Sequence, residues 1–156
     1  MDCYDMSSIN ILKQNRAIIL KGLKDLSPEQ LCLIPPGYRN NILWNFGHIL
    51  AVQQFLHYKL SGIEPDVSDK MMDLFKKGTS PEDWSSTPDI KEVKELFLEL
   101  PEKLSEDYQA KKFMEFQSYV TATGVVLQDI QQSLTFNNFH EGIHLGVIMC
   151  LKKIVL

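Results

Sequence analysis

The stretch NNILWNFGHILAVQQFLHYKLSGIEP, residues 40–65, contains the clearest helix signal in the sequence. Trp44 and Val52 fall on one helical face, and the side chains of that face are mostly of the inward-facing type. Gly62 follows the last periodic residue, and a proline comes three residues later. This order is typical of a helix C-terminus, so we expect a helix over residues 40–61.

Helical patterns also dominate the rest of the chain. Further long helices are predicted over residues 8–25, 89–110 and 126–155. Ser-Pro-Glu-Gln at 27–30 is a capping sequence and predicts one short helical turn. The hairpin dipeptides Asn-Gly and Asp-Gly are absent. We therefore expect two long crossovers, residues 62–88 with one or two short helices and residues 111–124 largely extended. The prediction is an all-α four-helix bundle with long crossover connections, residues 1–156 forming a single domain.

Composition and charge limit the classes of function. The chain has 156 residues, of which 44% are hydrophobic and 23% charged, as in ordinary globular domains. Its 16 Lys and Arg residues against 20 Asp and Glu residues give a formal net charge of −4. This balance argues against a nucleic-acid partner, because phosphate contacts need a basic surface. The chain also lacks an uncharged apolar run of membrane-spanning length and a secretory N-terminus, so we expect a cytoplasmic protein without a membrane partner.

The three cysteines give no sign of a disulfide framework. Cys3, Cys32 and Cys150 are odd in number and lack the Cys-x-x-Cys spacing of zinc knuckles. This usage fits a reducing compartment. Cys150 falls away from the face that carries His144, and we expect it to be a small core residue.

The four histidines provide the strongest functional signal. His140 and His144 are spaced i, i+4 on the predicted fourth helix, which places both rings on one face. His48 lies on the inward stripe of the second helix, whereas His57 is half a revolution away from it. We hypothesise that His48, His140 and His144 together bind one metal ion. The alternative is three core histidines satisfied by backbone carbonyls or neighbouring side chains, and spacing alone leaves both readings open.

Other residues on the same faces are candidates for a pocket. Four polar residues could orient a substrate or a group next to the metal ligands: Asn41, Asn45, Ser133 and Asn137. Helix capping or buried hydrogen bonding is the alternative role for these residues. The aromatic residues of these faces are assigned to the core: Trp44, Phe55 and Phe136.

Two segments that contain these histidines resemble a known family. LWNFGHIL at 43–50 places a tryptophan four residues before His48, and FHEGIHLG at 139–146 contains His-Glu-x-x-His-x-Gly. Both resemble the corresponding segments of the DinB-like superfamily of metal-binding four-helix proteins. The resemblance covers nearly the whole chain, because the helix lengths and the long second connection also fit.

The resemblance implies a four-helix bundle in which His48, His140 and His144 bind one divalent ion, zinc or nickel. It also implies a homodimer. Relatives include transferases and isomerases that use thiols such as bacillithiol or mycothiol, while many members have no known activity. The expected function is therefore a bacillithiol-type S-transferase or a metal-dependent hydrolase acting on a small molecule. The alternative is a non-catalytic, stress-associated protein with a structural metal, and whether the protein is an enzyme stays open.

The same segment also matches the HExxH string of zinc proteases. In those enzymes the glutamate, here Glu141, acts as general base beside two metal-binding histidines. Spacing alone does not separate a protease from the DinB-like reading, but the resemblance of the rest of the chain favours the latter.

The side of the fourth helix away from the histidines is small and apolar. A helix that is apolar on both sides is normally buried on both sides. We therefore expect this side to form a twofold dimer seam, together with the opposite side of the second helix. The residues of this seam are Gly142, Leu145, Gly146 and Met149, with Phe46 and Leu50 on the second helix.

Overall fold

The computed structural model describes residues 6–156, so Cys3 lies outside the described residues. Within this range no helix combines the length and the apolar character needed to cross a bilayer. Residues 6–156 form α-helices, two 3₁₀ turns at Lys59–Ser61 and Pro81–Asp83, and one small sheet. The helices are α1 Ser7–Leu23, α2 Pro28–Cys32, α3 Ile42–His57, α4 Asp69–Phe75, α5 Ile90–Gln109 and α6 Ile130–Val155, and the strands are β1 Tyr119–Val120 and β2 Val126–Leu127.

The four long helices, α1, α3, α5 and α6, pack side by side. Both α1 and α3 lie against α5 and against α6, so α1 is diagonal to α3 and α5 is diagonal to α6. Among these four helices, α3 and its successor α5 are neighbours. The pairs α1 and α3, and α5 and α6, are consecutive but diagonal, which the connections between them permit. The predicted all-α bundle with long crossovers is confirmed, whereas a single domain over residues 1–156 stays a prediction.

The helix predicted over residues 40–61 is confirmed as α3, although it covers only Ile42–His57, and most of its residues are buried. Asn41 caps its start, because the side-chain Oδ1 accepts a hydrogen bond from the backbone N–H of Trp44 at 2.7 Å. After α3 the chain tightens into a 3₁₀ turn, and Gly62 ends it with a φ of 70°. Glycine adopts this left-handed conformation without a steric penalty.

The predicted start of the last helix, at residue 126, is wrong. Val126–Leu127 is strand β2, which pairs antiparallel with β1 inside the segment predicted as an extended crossover. The connecting turn uses Gly124 at a φ of 84° rather than one of the hairpin dipeptides. Helix α6 begins at Ile130, because the Asp129 side chain accepts a hydrogen bond from the backbone N–H three residues later, at 2.8 Å.

Two expectations about burial are also wrong. Cys150 is exposed rather than a core residue, because no helix among residues 6–156 covers its side of α6. Phe46 and Leu50 are only 2% and 0% exposed, so both are covered by the core of this chain itself. They are therefore not available for the predicted dimer seam.

Candidate metal centre

Three histidines meet where α3 packs against α6. His48 comes from α3, and His140 and His144 come from successive turns of α6. Each offers a ring nitrogen, and these nitrogens lie within 4.8 Å of one another. The ring centroids are 4.6 to 5.2 Å apart. The structure thus brings together the three histidines that the sequence predicted as metal ligands.

His57 lies outside this cluster, as its position on the helix predicts. It is fully buried on another side of α3. Burial, together with the positive charge of Arg16, lowers its pKa to about 3. His57 is therefore a neutral core residue at physiological pH.

A backbone carbonyl determines the tautomer of His48. The Nδ1 atom of this ring lies 2.7 Å from the carbonyl oxygen of Phe75, the last residue of α4. A carbonyl oxygen only accepts hydrogen bonds, so Nδ1 must be protonated and donate. The lone pair of the neutral ring then lies on Nε2. This is the arrangement by which metal-binding histidines are normally oriented.

Asn45 performs the same role for His144. The Nδ1 atom of His144 lies 2.7 Å from Oδ1 of Asn45. The Asn45 side-chain amide donates its own hydrogen bond from Nδ2 to the carbonyl oxygen of Asn41, also at 2.7 Å. This second bond orients the amide with its oxygen toward the histidine, so Nδ1 of His144 donates and Nε2 carries the lone pair.

The electrostatics of the cluster favour neutral imidazoles. All three rings have a lowered pKa, and burial is the largest cause in each. The pKa of His48 is lowered, that of His140 falls to about 3 and that of His144 to about 4. The neighbouring rings lower the pKa of His140 and His144 further, because two imidazolium charges at this distance repel. A divalent metal requires neutral imidazole ligands, which these rings are at pH 7.

The ring of His140 differs from the other two in its hydrogen bonding. Its Nδ1 atom is buried without a hydrogen-bond partner. A buried polar atom without a partner is costly, and coordination of a metal by this nitrogen would offset that cost. Three neutral imidazoles, two of them with Nε2 lone pairs set by hydrogen bonds, are a donor set suited to zinc or another divalent transition metal.

Trp44 forms one wall of the cluster. Its ring stacks on that of His48, with centroids 4.5 Å apart and an angle of 12° between the planes. Trp44 is 5% exposed and belongs to the main hydrophobic core, which confirms its core assignment. The tryptophan therefore keeps water away from one face of the His48 ring.

A cavity of about 490 Å³ opens beside the histidines. His48 and His140 line it, so the cluster is reachable from the cavity. Phe55 and Phe136, which the sequence assigned to the core, are half-buried and form part of its wall. The core assignment of these two residues is therefore incomplete, since helix periodicity does not distinguish a core wall from the wall of a cavity.

The remaining candidate pocket residues bind groups of the protein itself. Asn41 caps α3 and donates from Nδ2 to the carbonyl oxygen of Cys32. Ser133 donates to the carbonyl oxygen of Leu56 at 2.8 Å. Asn137 donates to Oε1 of Glu141 at 3.0 Å. Neither these residues nor Asn45 is among those that line the cavity.

Sequence reasoning missed an ion pair next to the histidines. Arg16 and Glu141 are 1% and 0% exposed, and the guanidinium donates from Nη2 and Nε to the two carboxylate oxygens at 2.8 and 3.2 Å. The available signal was Arg16 itself, a charged residue in register with the buried Leu12 and Ile19 of α1. A charge at such a position is normally paired.

This ion pair argues against the interpretation of the HExxH string as a zinc-protease site. Both oxygens of Glu141 accept hydrogen bonds from Arg16, and the carboxylate is fully buried. Glu141 also does not line the cavity that reaches the histidines. A general base must approach the substrate or its attacking water, so Glu141 is not placed to act as the glutamate of a HExxH protease.

Comparison with protein families identifies the fold. The DinB superfamily model matches residues 11–148. The chain belongs to the DinB superfamily. The match to this superfamily runs from α1 into α6 and includes all three clustered histidines, so the resemblance found in the sequence is confirmed. A search of curated proteins found no match.

Proposed function

We propose that this DinB-superfamily protein binds one divalent metal ion, zinc or nickel, through His48, His140 and His144. The convergence of three neutral imidazoles supports this proposal. When bound, the ion supplies a Lewis acid next to the cavity. The residues around it have separate tasks: Phe75 and Asn45 orient two rings, and Trp44 shields one of them.

The proposal that the site is catalytic rests on the cavity, because His48 and His140 line it. A structural metal is normally enclosed by four protein ligands, whereas a catalytic one keeps a position open to substrate. Among residues 6–156, the group of potential ligand residues contains these three histidines and no fourth member. We therefore infer a small-molecule enzyme, a thiol-dependent S-transferase of the bacillithiol type or a metal-dependent hydrolase.

One observation favours the alternative of a non-catalytic, stress-associated protein with a structural metal. Glu141 is held by Arg16, and the cavity-lining Asp73 pairs with Lys76 at 2.8 Å. Neither carboxylate is thus an unengaged general base. A thiol-dependent reaction on the metal side of the cavity does not need one if the thiol binds as a thiolate.

Elemental analysis of untagged protein tests the metal site. Wild-type protein should contain about one equivalent of metal, and His144→Ala should lose most of it because one of three ligands is gone. His57→Asn is the matched control, since it also replaces a buried histidine and should keep the metal. Equal metal content in wild type and His144→Ala, or none in either, would refute the site.

Thiol titration of the cobalt-substituted protein tests the reaction class. A thiol that reaches the metal should change the visible absorption of cobalt, because the ligand field changes. The titration should include small thiols of different charge. If no thiol perturbs the spectrum, the transferase proposal fails and the hydrolase and structural alternatives stand.

We also propose that the protein is a cytoplasmic homodimer that pairs through α6. Gly142 and Gly146 are exposed, and a Cβ built on either would meet no atom within 4 Å. Met149 beside them is 55% exposed. An exposed small and apolar helix face supports a close contact with a second copy. Light scattering should give the dimer mass, and Met149→Glu should give a monomer; a wild-type monomer would refute the seam.

A further inference from the structure

The cavity beside the histidines has two chemically different parts. Its wall is mainly apolar and aromatic, and the residues that define it are Val52, Phe55, Tyr119, Phe136, Phe139 and Ile143. Three lysines, Lys59, Lys76 and Lys77, also line it. They come from the turn after α3 and from the two residues directly after α4, and Lys59 and Lys76 both act on the charge of Asp73; we call the three the lysine rim.

The lysine rim carries an excess of positive charge. Lys76 is paired with Asp73, the one acidic residue of the described part of the chain that lines the cavity. No ion pair within residues 6–156 includes Lys59 or Lys77. Lys59 also acts electrostatically on Asp73, so three positive charges share one negative charge at the cavity of a chain whose formal net charge is −4. A local charge of opposite sign to the whole molecule attracts anionic ligands to that place.

The size of the cavity fits a small molecule rather than a macromolecule. A volume of about 490 Å³ lies within the range of ordinary small-ligand sites. The wall includes half-exposed side chains, with Phe139 54% and Ile143 49% exposed, and a bound apolar group would cover them. Such sites normally combine an apolar wall with a few polar groups that orient the ligand.

We propose that this cavity binds a small molecule with an apolar, ring-sized body and an anionic group, and that Lys59 and Lys77 hold the anionic group. The apolar body lies against Phe55 and Phe136. This inference rests on the proposed function for one point, namely that the bound molecule meets a metal at His48 and His140. The ligand class itself follows from the wall and the lysine rim.

A pair of fluorescent probes separates the two parts of the cavity. The probes are 8-anilinonaphthalene-1-sulfonate and N-phenyl-1-naphthylamine, which share a ring system and differ in the sulfonate. Both gain fluorescence in an apolar site. Binding to metal-loaded and to chelator-treated wild type should be measured, and the sulfonate should bind more tightly than the neutral probe.

Charge-removing variants then test the lysine rim. Lys59→Gln/Lys77→Gln should weaken binding of the sulfonate about tenfold, the size expected from losing charge-assisted contacts, and leave the neutral probe unchanged. Lys21→Gln/Lys24→Gln is the matched control, because both lysines are exposed on or next to the end of α1 and do not line the cavity. Val52→Trp should fill the cavity and weaken both probes.

The outcomes distinguish this inference from the proposed function. If the sulfonate and the neutral probe bind equally, or if the rim variant and the control behave alike, the ligand class is wrong even when elemental analysis finds metal. If wild type contains no metal but the sulfonate preference depends on Lys59 and Lys77, the ligand class stands and the metal proposal fails.

Discussion

A single amide orients one of the three candidate metal ligands. Asn45 accepts a hydrogen bond from Nδ1 of His144 and is itself held by the carbonyl oxygen of Asn41. Without this acceptor the His144 ring would be free to change tautomer and orientation. We therefore expect Asn45→Ala to lower metal affinity about 10- to 100-fold, the usual effect of removing a group that orients a ligand. Competition with a chromogenic chelator measures the affinity.

Two further variants make the Asn45 test specific. Asn45→Asp keeps an acceptor oxygen for Nδ1 of His144 but loses the hydrogen bond to the carbonyl oxygen of Asn41, so it should retain more of the metal affinity than Asn45→Ala. Asn138→Ala removes an asparagine that donates to the carbonyl oxygen of Ser8, away from the histidines, and should leave the affinity unchanged. Wild-type affinity in Asn45→Ala would show that the hydrogen bond does not orient the ligand.

At the scale of helices, Gly47 permits the contact that positions His48. A Cβ on Gly47 would overlap with the ring of Phe75, which is fully buried on α4. The backbone carbonyl oxygen of Phe75 also accepts the hydrogen bond from Nδ1 of His48. Gly47→Ala should therefore push α4 away, destabilise the protein by about 1–3 kcal/mol and weaken metal binding. Urea denaturation and chelator competition report the two effects.

Gly22 provides the matched control for this substitution. It also lies in a helix, but a Cβ there would meet no atom within 4 Å. Gly22→Ala should be neutral or stabilise by up to about 1 kcal/mol, because alanine favours the helix. If Gly47→Ala is equally well tolerated, α3 and α4 do not need their close approach.

On the scale of the whole molecule, one guanidinium connects all four long helices. Arg16 of α1 donates to Gln53 of α3, to the carbonyl oxygen of Phe97 of α5 and to Glu141 of α6. Arg16→Met leaves the Glu141 charge buried and unpaired, so we expect a loss of about 3–5 kcal/mol in the free energy of unfolding. Chemical denaturation measures this loss.

The double variant Arg16→Met/Glu141→Leu tests the cause of that loss. It removes both charges, and an apolar pair of similar size can replace a buried ion pair without a large cost. We expect it to recover much of the stability lost in Arg16→Met. A double variant as unstable as the single one would mean that Arg16 acts through Gln53 and Phe97 rather than through the ion pair.

The stability of the metal-free protein should also depend on pH. The folded-state pKa values of His57 and His140 are about 3 and that of His144 about 4, all below the ordinary 6.5. The unfolded chain therefore takes up more protons than the folded one once the pH falls below about 6.5. Stability should be constant above about pH 7.5 and fall below 6.5, by up to about 1.4 kcal/mol per pH unit for each neutral imidazole.

Urea midpoints between pH 8 and pH 5 check this dependence. His57→Asn should show a shallower decline than wild type, because one buried imidazole no longer contributes. A midpoint that stays constant from pH 8 to pH 5 would contradict the burial of these rings.

Local signals predicted much of the fold, and the errors have identifiable causes. The α-helix ends at His57, but Gly62 correctly marked the end of the 3₁₀ turn that follows it, because the effect of a glycine depends on backbone conformation alone. The start of α6 was placed too early, since Val126 and Leu127 fit either a helix or a strand and only pairing with β1 decides between them. The cap at Asp129 was a local signal that had been available.

The histidine site was also predictable from the sequence only in part. Spacing along one helix places His140 beside His144, because helical geometry is set by the backbone and is independent of the rest of the chain. Three other features depend on how separate helices pack. They are the position of His48 beside the other two rings, the acceptor oxygens of Phe75 and Asn45, and the cavity next to the rings. Arg16 was visible in the sequence, but its partner was not. Contacts between distant segments form only when the bundle closes, so tertiary packing alone decided them.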